Sequence, residues 1–335
     1  MNILVVRLGA LGDVVHTIPA VAALRRAFPA ARIDWLVEAK HREVVDLVTV
    51  VDRVVVLEKG TARAWRRVID ELRGTPYDVA IDFQGLLKSA VLARASGARR
   101  VIGFSIWHLR EKTARPFYSS TGDAEGGHVI RKNLRLLRVL GIDADTIEFP
   151  IADMGSRASL ILGQLVTGPY ALINAGAAWP NKRWPPERFG ELAAFLAEAR
   201  GLTPVVLWGP GEDVLAQTII DASSGRAVLA PPTRVRDLVA LARGASLVVS
   251  GDTGPLHVAT AVGTPTVSIF GPTNPERNGP WSAQDAVVSR FEQCGCHYER
   301  RCHRREWCLL DVAASELCAA VQRRLGSAEH RDAGR

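Results

Sequence analysis

A chain of 335 residues with 47% hydrophobic and 23% charged side chains is long enough for two domains and too apolar for extensive disorder. No uninterrupted apolar stretch reaches the roughly 18 residues that a bilayer span requires. The net charge of +7 is unevenly placed: the segment from Lys88 to Arg138 holds eleven Lys/Arg against three Asp/Glu, a composition that suits an anionic partner.

The opening run "MNILVVRLGALGDVV" is interrupted by Arg7 and Asp13 and carries no cleavage pattern, so it reads as a first strand and a cytoplasmic location is expected. A helix is expected over "VVHTIPAVAALRRAFP". Strands follow at "RIDWLV", "RVVVL" and "DVAIDF", with helices at "TARAWRRVIDELR" and "LLKSAVLARAS". The texture changes near "EFPIADMGSRASLILGQLVTGP". The rhythm then restarts with strands at "YALINAG", "PVVLWG", "AVLA", "ASLVVS" and "TPTVSIFG", separated by helices such as "PERFGELAAFLAEAR". Strands alternating with helices imply βαβ units and mostly parallel sheets. The spacing predicts two doubly wound α/β domains, 1–155 and 156–335. A last helix at about 311–326 is placed at the domain junction, and the polar tail from Ser327 is expected to be disordered.

The chemistry concentrates where strands hand over to helices. In "RLGALGDVVHTIPA", Gly9 and Gly12 allow a tight turn, but the pattern is not Gly-x-Gly-x-x-Gly, and Glu38 alone makes a poor ribose site. A nicotinamide dehydrogenase is therefore disfavoured. Asp13 fits two roles equally well at this stage, a helix cap or a general base. In "NAGAAWPNKRWPPERF", Gly176 lets backbone approach a ligand and Lys182 offers a point charge to a phosphate. In "LWGPGEDVL", Glu212 can accept from a ribose hydroxyl. In "SGDTGPLHVATAVG", Asp252, Thr253, Gly254 and His257 gather at a helix start, where free N–H groups and the dipole attract phosphate. One capping residue would satisfy a plain helix, so the cluster argues for a nucleotide. Few aromatics interleave with the basic segment and no nucleic-acid motif is visible, so nucleic acid is the weaker partner. Cys294, Cys296, Cys302 and Cys308, with His297 and His303 between them, could hold zinc or form a reduced loop, since their spacing matches no standard module.

The set "GALGDVVHTIPA", "DFQGLLKSA", "WPNKRWPPERF" and "GDTGPLHVATAVGTPTVSIFGPTNP", in this order over nearly the whole chain, resembles the lipopolysaccharide heptosyltransferases of glycosyltransferase family 9. Within the family, the first two motifs point to the heptosyltransferase I branch. The resemblance implies a GT-B architecture, two Rossmann-like domains facing a cleft, with an inverting transfer of heptose from ADP-heptose to the Kdo-bearing inner core of a lipopolysaccharide precursor. Asp13 would be the base. Lys182 would contact phosphate, Glu212 the ribose, and Asp252, Thr253, Gly254 and His257 the donor's pyrophosphate and sugar. Arg63, Arg66, Arg67, Lys88, Arg110 and Lys112 supply charge for an anionic lipid-linked acceptor at the inner face of the inner membrane. No Asp-x-Asp metal motif appears, so neither metal nor cofactor is expected. Two departures stand out. Ala177 and Ala178 replace hydroxyl side chains usual in that branch, and the cysteine cluster resembles heptosyltransferase II-like members. A GT-B enzyme of the epimerase type would share the donor site but needs no basic acceptor face.

Overall fold

The computed structural model describes residues 1–58, 60–125 and 127–332, and the chain divides into two compact units, Met1–Ala152 and Asp153–Arg335. The first unit carries strands β1 (Asn2–Val6), β2 (Arg32–Glu38), β3 (Arg53–Leu57), β4 (Val79–Asp82), β5 (Arg100–Phe104) and β6 (Ser120–Gly122). The second carries β7 (Tyr170–Asn174), β8 (Thr203–Leu207), β9 (Val228–Leu229), β10 (Leu247–Gly251), β11 (Thr266–Phe270) and β12 (Ala286–Ser289).

Every strand pair in both sheets is parallel. The first sheet runs β3-β2-β1-β4-β5-β6 and the second β12-β11-β10-β7-β8-β9. Counted within its own unit, each sheet thus has the 3-2-1-4-5-6 order of dinucleotide-binding folds, whose ligands sit where the order reverses. That point lies between β1 and β4 in one unit and between β7 and β10 in the other. Helices cover both faces of such sheets, which is why the central strands read as unbroken apolar runs. Ile3 to Val6 are fully buried, as are Leu172, Ile173 and Val249.

Three strands escape the periodicity argument. β5, β6 and β12 are edge-side segments of three to five residues, too short to show a pattern. Gly103 in β5 is a packing requirement, because a Cβ there would strike the Tyr118 ring. The expected helix at "VVHTIPAVAALRRAFP" is two helices, Leu11–Val15 and Ile18–Ala27. Pro19 explains the break, since it lacks an N–H and fits only the first turn of the second helix. The Thr17 hydroxyl donates to the Asp13 carbonyl at 2.8 Å across the break.

The last helix spans Ala314–Asp332 and packs on the helix Pro186–Arg200, β11 and β12, within the second unit. Leu317, Ala320 and Val321 are fully buried there. The tail expected to be disordered from Ser327 is helical backbone as far as Asp332; residues 333–335 lie outside the described residues.

Candidate active site

In the first unit, the reversal point is built by the segments after β1 and β4. Arg7, buried, places its guanidinium on the Phe83 carbonyl and pairs with Asp13 at 2.8 Å. The Leu8 amide donates to Gln84 Oε1 at 2.7 Å, so the two loops are clamped together. Beneath them, Asp82 is fully buried and accepts from Ser89 at 2.8 Å, Tyr118 at 2.7 Å and the Gln84 amide at 2.8 Å. Burial pushes its carboxyl up from the ordinary value, against these donors.

Asp13 is the third residue of the helix Leu11–Val15, whose N-cap position is Ala10 and which no side chain caps. The cap role is thereby removed. The Asp13 carboxylate is 31% exposed and held by Arg7. Beside it, His41 is buried against Gly9, where any Cβ would meet its ring, and its Nε2 has no hydrogen-bond partner among the described residues. Burial, aided by Lys40, pushes His41 down to about 4, so the ring is neutral at physiological pH. No sequence signal marks His41, and the "DFQGLLKSA" motif that contains Gln84 does not by itself reveal the clamp.

The six basic residues follow the carboxyl ends of β3, β4 and β5, on the same edge as Asp13. Arg63, Arg66 and Arg67 are exposed on the helix Ala62–Arg73, and Arg110 and Lys112 are exposed after β5. Lys88 differs, because it is engaged by Glu38 at 2.7 Å. Burial works against the Glu38 charge, but Lys88 and Lys40 hold its carboxyl below the ordinary range.

In the second unit, the loops after β7 and β10 are joined by one buried ion pair. Lys182 Nζ lies 2.5 Å from Asp252 Oδ2, with side chains 14% and 4% exposed. The Thr273 hydroxyl donates to the same oxygen at 2.6 Å, and His257 Nε2 lies 3.2 Å from Oδ1. Burial alone would raise Asp252, yet His257 and Lys182 outweigh it and hold the carboxyl well below the usual carboxylate range. Both carboxylate oxygens are thus occupied. Asp252, expected at the donor's pyrophosphate and sugar, bonds the Lys182 ammonium and the His257 ring and so orients both. Lys182 also stands 4.6 Å over the Trp179 ring, which fixes it from a second side.

Thr253 occupies the N-cap position of the helix Gly254–Ala261 but does not cap it. Its hydroxyl turns to Ser250 at 3.0 Å and receives Asn174 Nδ2 at 3.0 Å. The first turn of that helix therefore keeps its amides free of any side-chain cap, while the ends of β7 and β10 are tied together. No sequence signal singles out Asn174 or Thr273; Asn174 stands at the strand end just before Gly176, and Thr273 lies near the end of the long motif that closes at Pro275. Glu212 accepts the Gly209 amide at 2.9 Å, and its carboxylate fills the space a Cβ at Gly176 would take. The loops after β7, β8 and β10 all meet at one sheet edge.

Among the cysteines, the Cys296 and Cys302 sulfurs approach to 3.1 Å and the His303 amide donates to Cys296 Sγ at 3.2 Å. All five cysteines are free thiols, and among the described residues no group of three or more His, Cys, Asp or Glu is arranged to hold a metal ion.

Because the native pKa of Asp252 lies below its unfolded value near 3.8, its ionised form stabilises the fold fully above that value. The contribution is lost as pH falls below about 4. Chemical denaturation between pH 7 and pH 3 is expected to show a steeper acid loss in the native protein than in Asp252→Asn. Parallel curves would remove Asp252 from this role.

The family model "Glycosyltransferase family 9 (heptosyltransferase)" matches residues 65–308. The chain is 30% identical to lipopolysaccharide heptosyltransferase 1 of Pseudomonas aeruginosa, over 90% of this chain and 87% of that protein. Among solved structures, it resembles the Escherichia coli heptosyltransferase WaaC with ADP at 25% identity and a TM-score of 0.75, covering 98% of both chains. The same enzyme with ADP-2-deoxy-2-fluoro heptose matches at 25% identity and a TM-score of 0.74, over 98% of this chain and 99% of that one. With these matches spanning both units and every motif above, the chain belongs to glycosyltransferase family 9, the heptosyltransferases.

Proposed function

We propose that this protein transfers heptose from ADP-heptose, with inversion, to a Kdo-bearing lipopolysaccharide precursor at the inner face of the inner membrane. The observation that carries the reading is the Lys182–Asp252–His257 constellation beside an uncapped helix start. The donor diphosphate would lie on the amides at Gly254, with the Lys182 ammonium beside it and Glu212 within the adenosine side of the site. The relative solved with ADP and with a fluorinated ADP-heptose supports that ligand.

Asp13 would take the proton of the acceptor hydroxyl, whose oxygen then attacks the anomeric carbon. The bond from that carbon to the diphosphate breaks and ADP leaves with the electron pair. Lys182, His257 and the helix dipole stabilise the charge that develops on ADP, so this chain's own groups supply the electrostatic work. Arg63, Arg66 and Arg67 would hold the carboxylates and phosphates of the acceptor, with Arg110 and Lys112 at the rim of that face. Lys88 would join them by exchanging Glu38 for the ligand.

Transfer assayed with ADP-heptose and a panel of Kdo-lipid acceptors tests the activity, and no product with any acceptor would reject it. The donor site is tested by calorimetric titration with ADP. Gly254→Val is expected to weaken ADP binding at least about tenfold, because a branched side chain intrudes where phosphate approaches the backbone. His257→Ala should cost about 1.5–3 kcal/mol of ADP affinity if its bond to the ligand is charge-assisted. Unchanged affinity in both variants would move the donor elsewhere.

A further inference from the structure

Among the described residues Trp107 is the most exposed large apolar side chain, at 83%, with Ile106 beside it at 39%. The turn that carries them is not loose. The Ser105 carbonyl accepts the amides of His108 at 2.9 Å and Leu109 at 3.1 Å, and Ser105 Oγ lies 3.1 Å from His108 Nδ1. Leu109 packs over Gly85, and the Glu111 carboxylate accepts the Leu87 amide at 2.8 Å. Leu87, itself 40% exposed, is thereby held to the same segment. A fixed backbone thus holds Trp107 almost wholly in water, with Ile106 and Leu87 partly exposed beside it.

Cations outnumber acids in the segment that carries this tip, although two exposed carboxylates, Glu111 and Asp123, lie close by, Asp123 Oδ1 at 3.7 Å from His108 Nδ1. Arg110 and Lys112 follow at once, both exposed and without an ion pair among the described residues, while Glu111 between them keeps its charge and accepts the Leu87 amide. Together they form the exposed end of a segment rich in cations. Tryptophan with a neighbouring aliphatic, rimmed by unpaired Lys and Arg, matches the boundary of an anionic bilayer, where an indole sits at headgroup level and cations meet phosphate. A purely electrostatic acceptor site would not need the two apolar side chains.

We propose that the Ile106–Trp107 turn inserts into the headgroup boundary of an anionic phospholipid bilayer, with Arg110 and Lys112 on lipid phosphates. The turn lies after the carboxyl end of β5, on the same sheet edge as Asp13 and the basic residues. Docking there brings that edge to the surface from which a lipid-linked acceptor projects. The purpose of docking rests on the proposed function; the docking itself does not.

Co-sedimentation of the full chain with vesicles of phosphatidylglycerol and phosphatidylethanolamine, against phosphatidylcholine alone, tests the idea. The native protein should bind the anionic vesicles, and Ile106→Ser with Trp107→Ser should weaken that binding at least about tenfold. Arg110→Glu with Lys112→Glu should also weaken it and flatten its salt dependence. Turnover on a deacylated, water-soluble acceptor should be unchanged in the Ile106→Ser/Trp107→Ser protein. Native-like vesicle binding by that protein, or none by the wild type, overturns the proposal. So does normal vesicle binding with lost affinity for an acylated acceptor in detergent, which would assign the turn to the acceptor's own chains. Failure of heptose transfer with vesicle binding intact would instead count against the proposed function alone.

Discussion

Asp13→Ala is expected to lower kcat roughly 10²–10⁴-fold while leaving ADP affinity nearly unchanged, the range for loss of a positioned base. The geometry sharpens this expectation. Asp13 caps no helix, so its removal does not strip a terminal amide of its partner. It does leave Arg7, with a side chain only 7% exposed, without its counter-ion. Some stability loss is therefore expected in the Ala variant, and Asp13→Asn is the cleaner comparison because an amide oxygen can still accept from Arg7. Steady-state kinetics of both variants, beside thermal melts and ADP titration, separate chemistry from folding. Near-normal turnover in either variant would end the case for Asp13 as the base.

Asp252→Ala should have the larger effect on the protein itself. The substitution leaves the Lys182 ammonium, 14% exposed, without the carboxylate that neutralises it, and breaking a buried pair from one side costs about 3–5 kcal/mol. Thr273 and His257 lose an acceptor in the same step. ADP binding should fall too, because Lys182 and His257 are no longer held in place. Lys182→Met breaks the same pair from the other side, so it should also destabilise the protein, and it should weaken ADP binding more than Asp252→Ala does because it removes the cation itself. Denaturant titration and calorimetry on the two variants check this ordering. A fully stable Asp252→Ala protein with native ADP affinity would show that the carboxylate organises nothing.

Much of this arrangement can be read along the chain, for identifiable reasons. Parallel strands covered on both faces leave unbroken apolar runs such as "NILVV" and "SLVV", and each run ends where a polar loop must begin. Lys182, Glu212 and the Asp252–His257 stretch are conspicuous because each interrupts that grammar at a strand end. Edge strands such as Ser120–Gly122 are invisible for the opposite reason, since three residues carry no period. Pro19 marks a helix start rather than the middle of one long helix, a distinction that the apolar stripe on both sides conceals.

What the sequence determined by itself is which loops carry chemistry, because strand ends, glycines and isolated charges are local features. The roles within those loops were decided by contacts between residues far apart in the chain. Asp252 reads as a ligand contact in its motif, and only the fold shows that Lys182, 70 positions away, and Thr273 also bond its carboxylate. Asp13 reads equally as cap or base, and only the fold shows that Ala10 holds the cap position and that Arg7 pairs with the carboxylate. His41 carries no signal at all, because its importance lies only in being buried against Gly9 with an unanswered nitrogen. A carboxylate's task is set by which donors surround it and how much water is excluded, and both quantities exist only after the sheets have brought their carboxyl ends together.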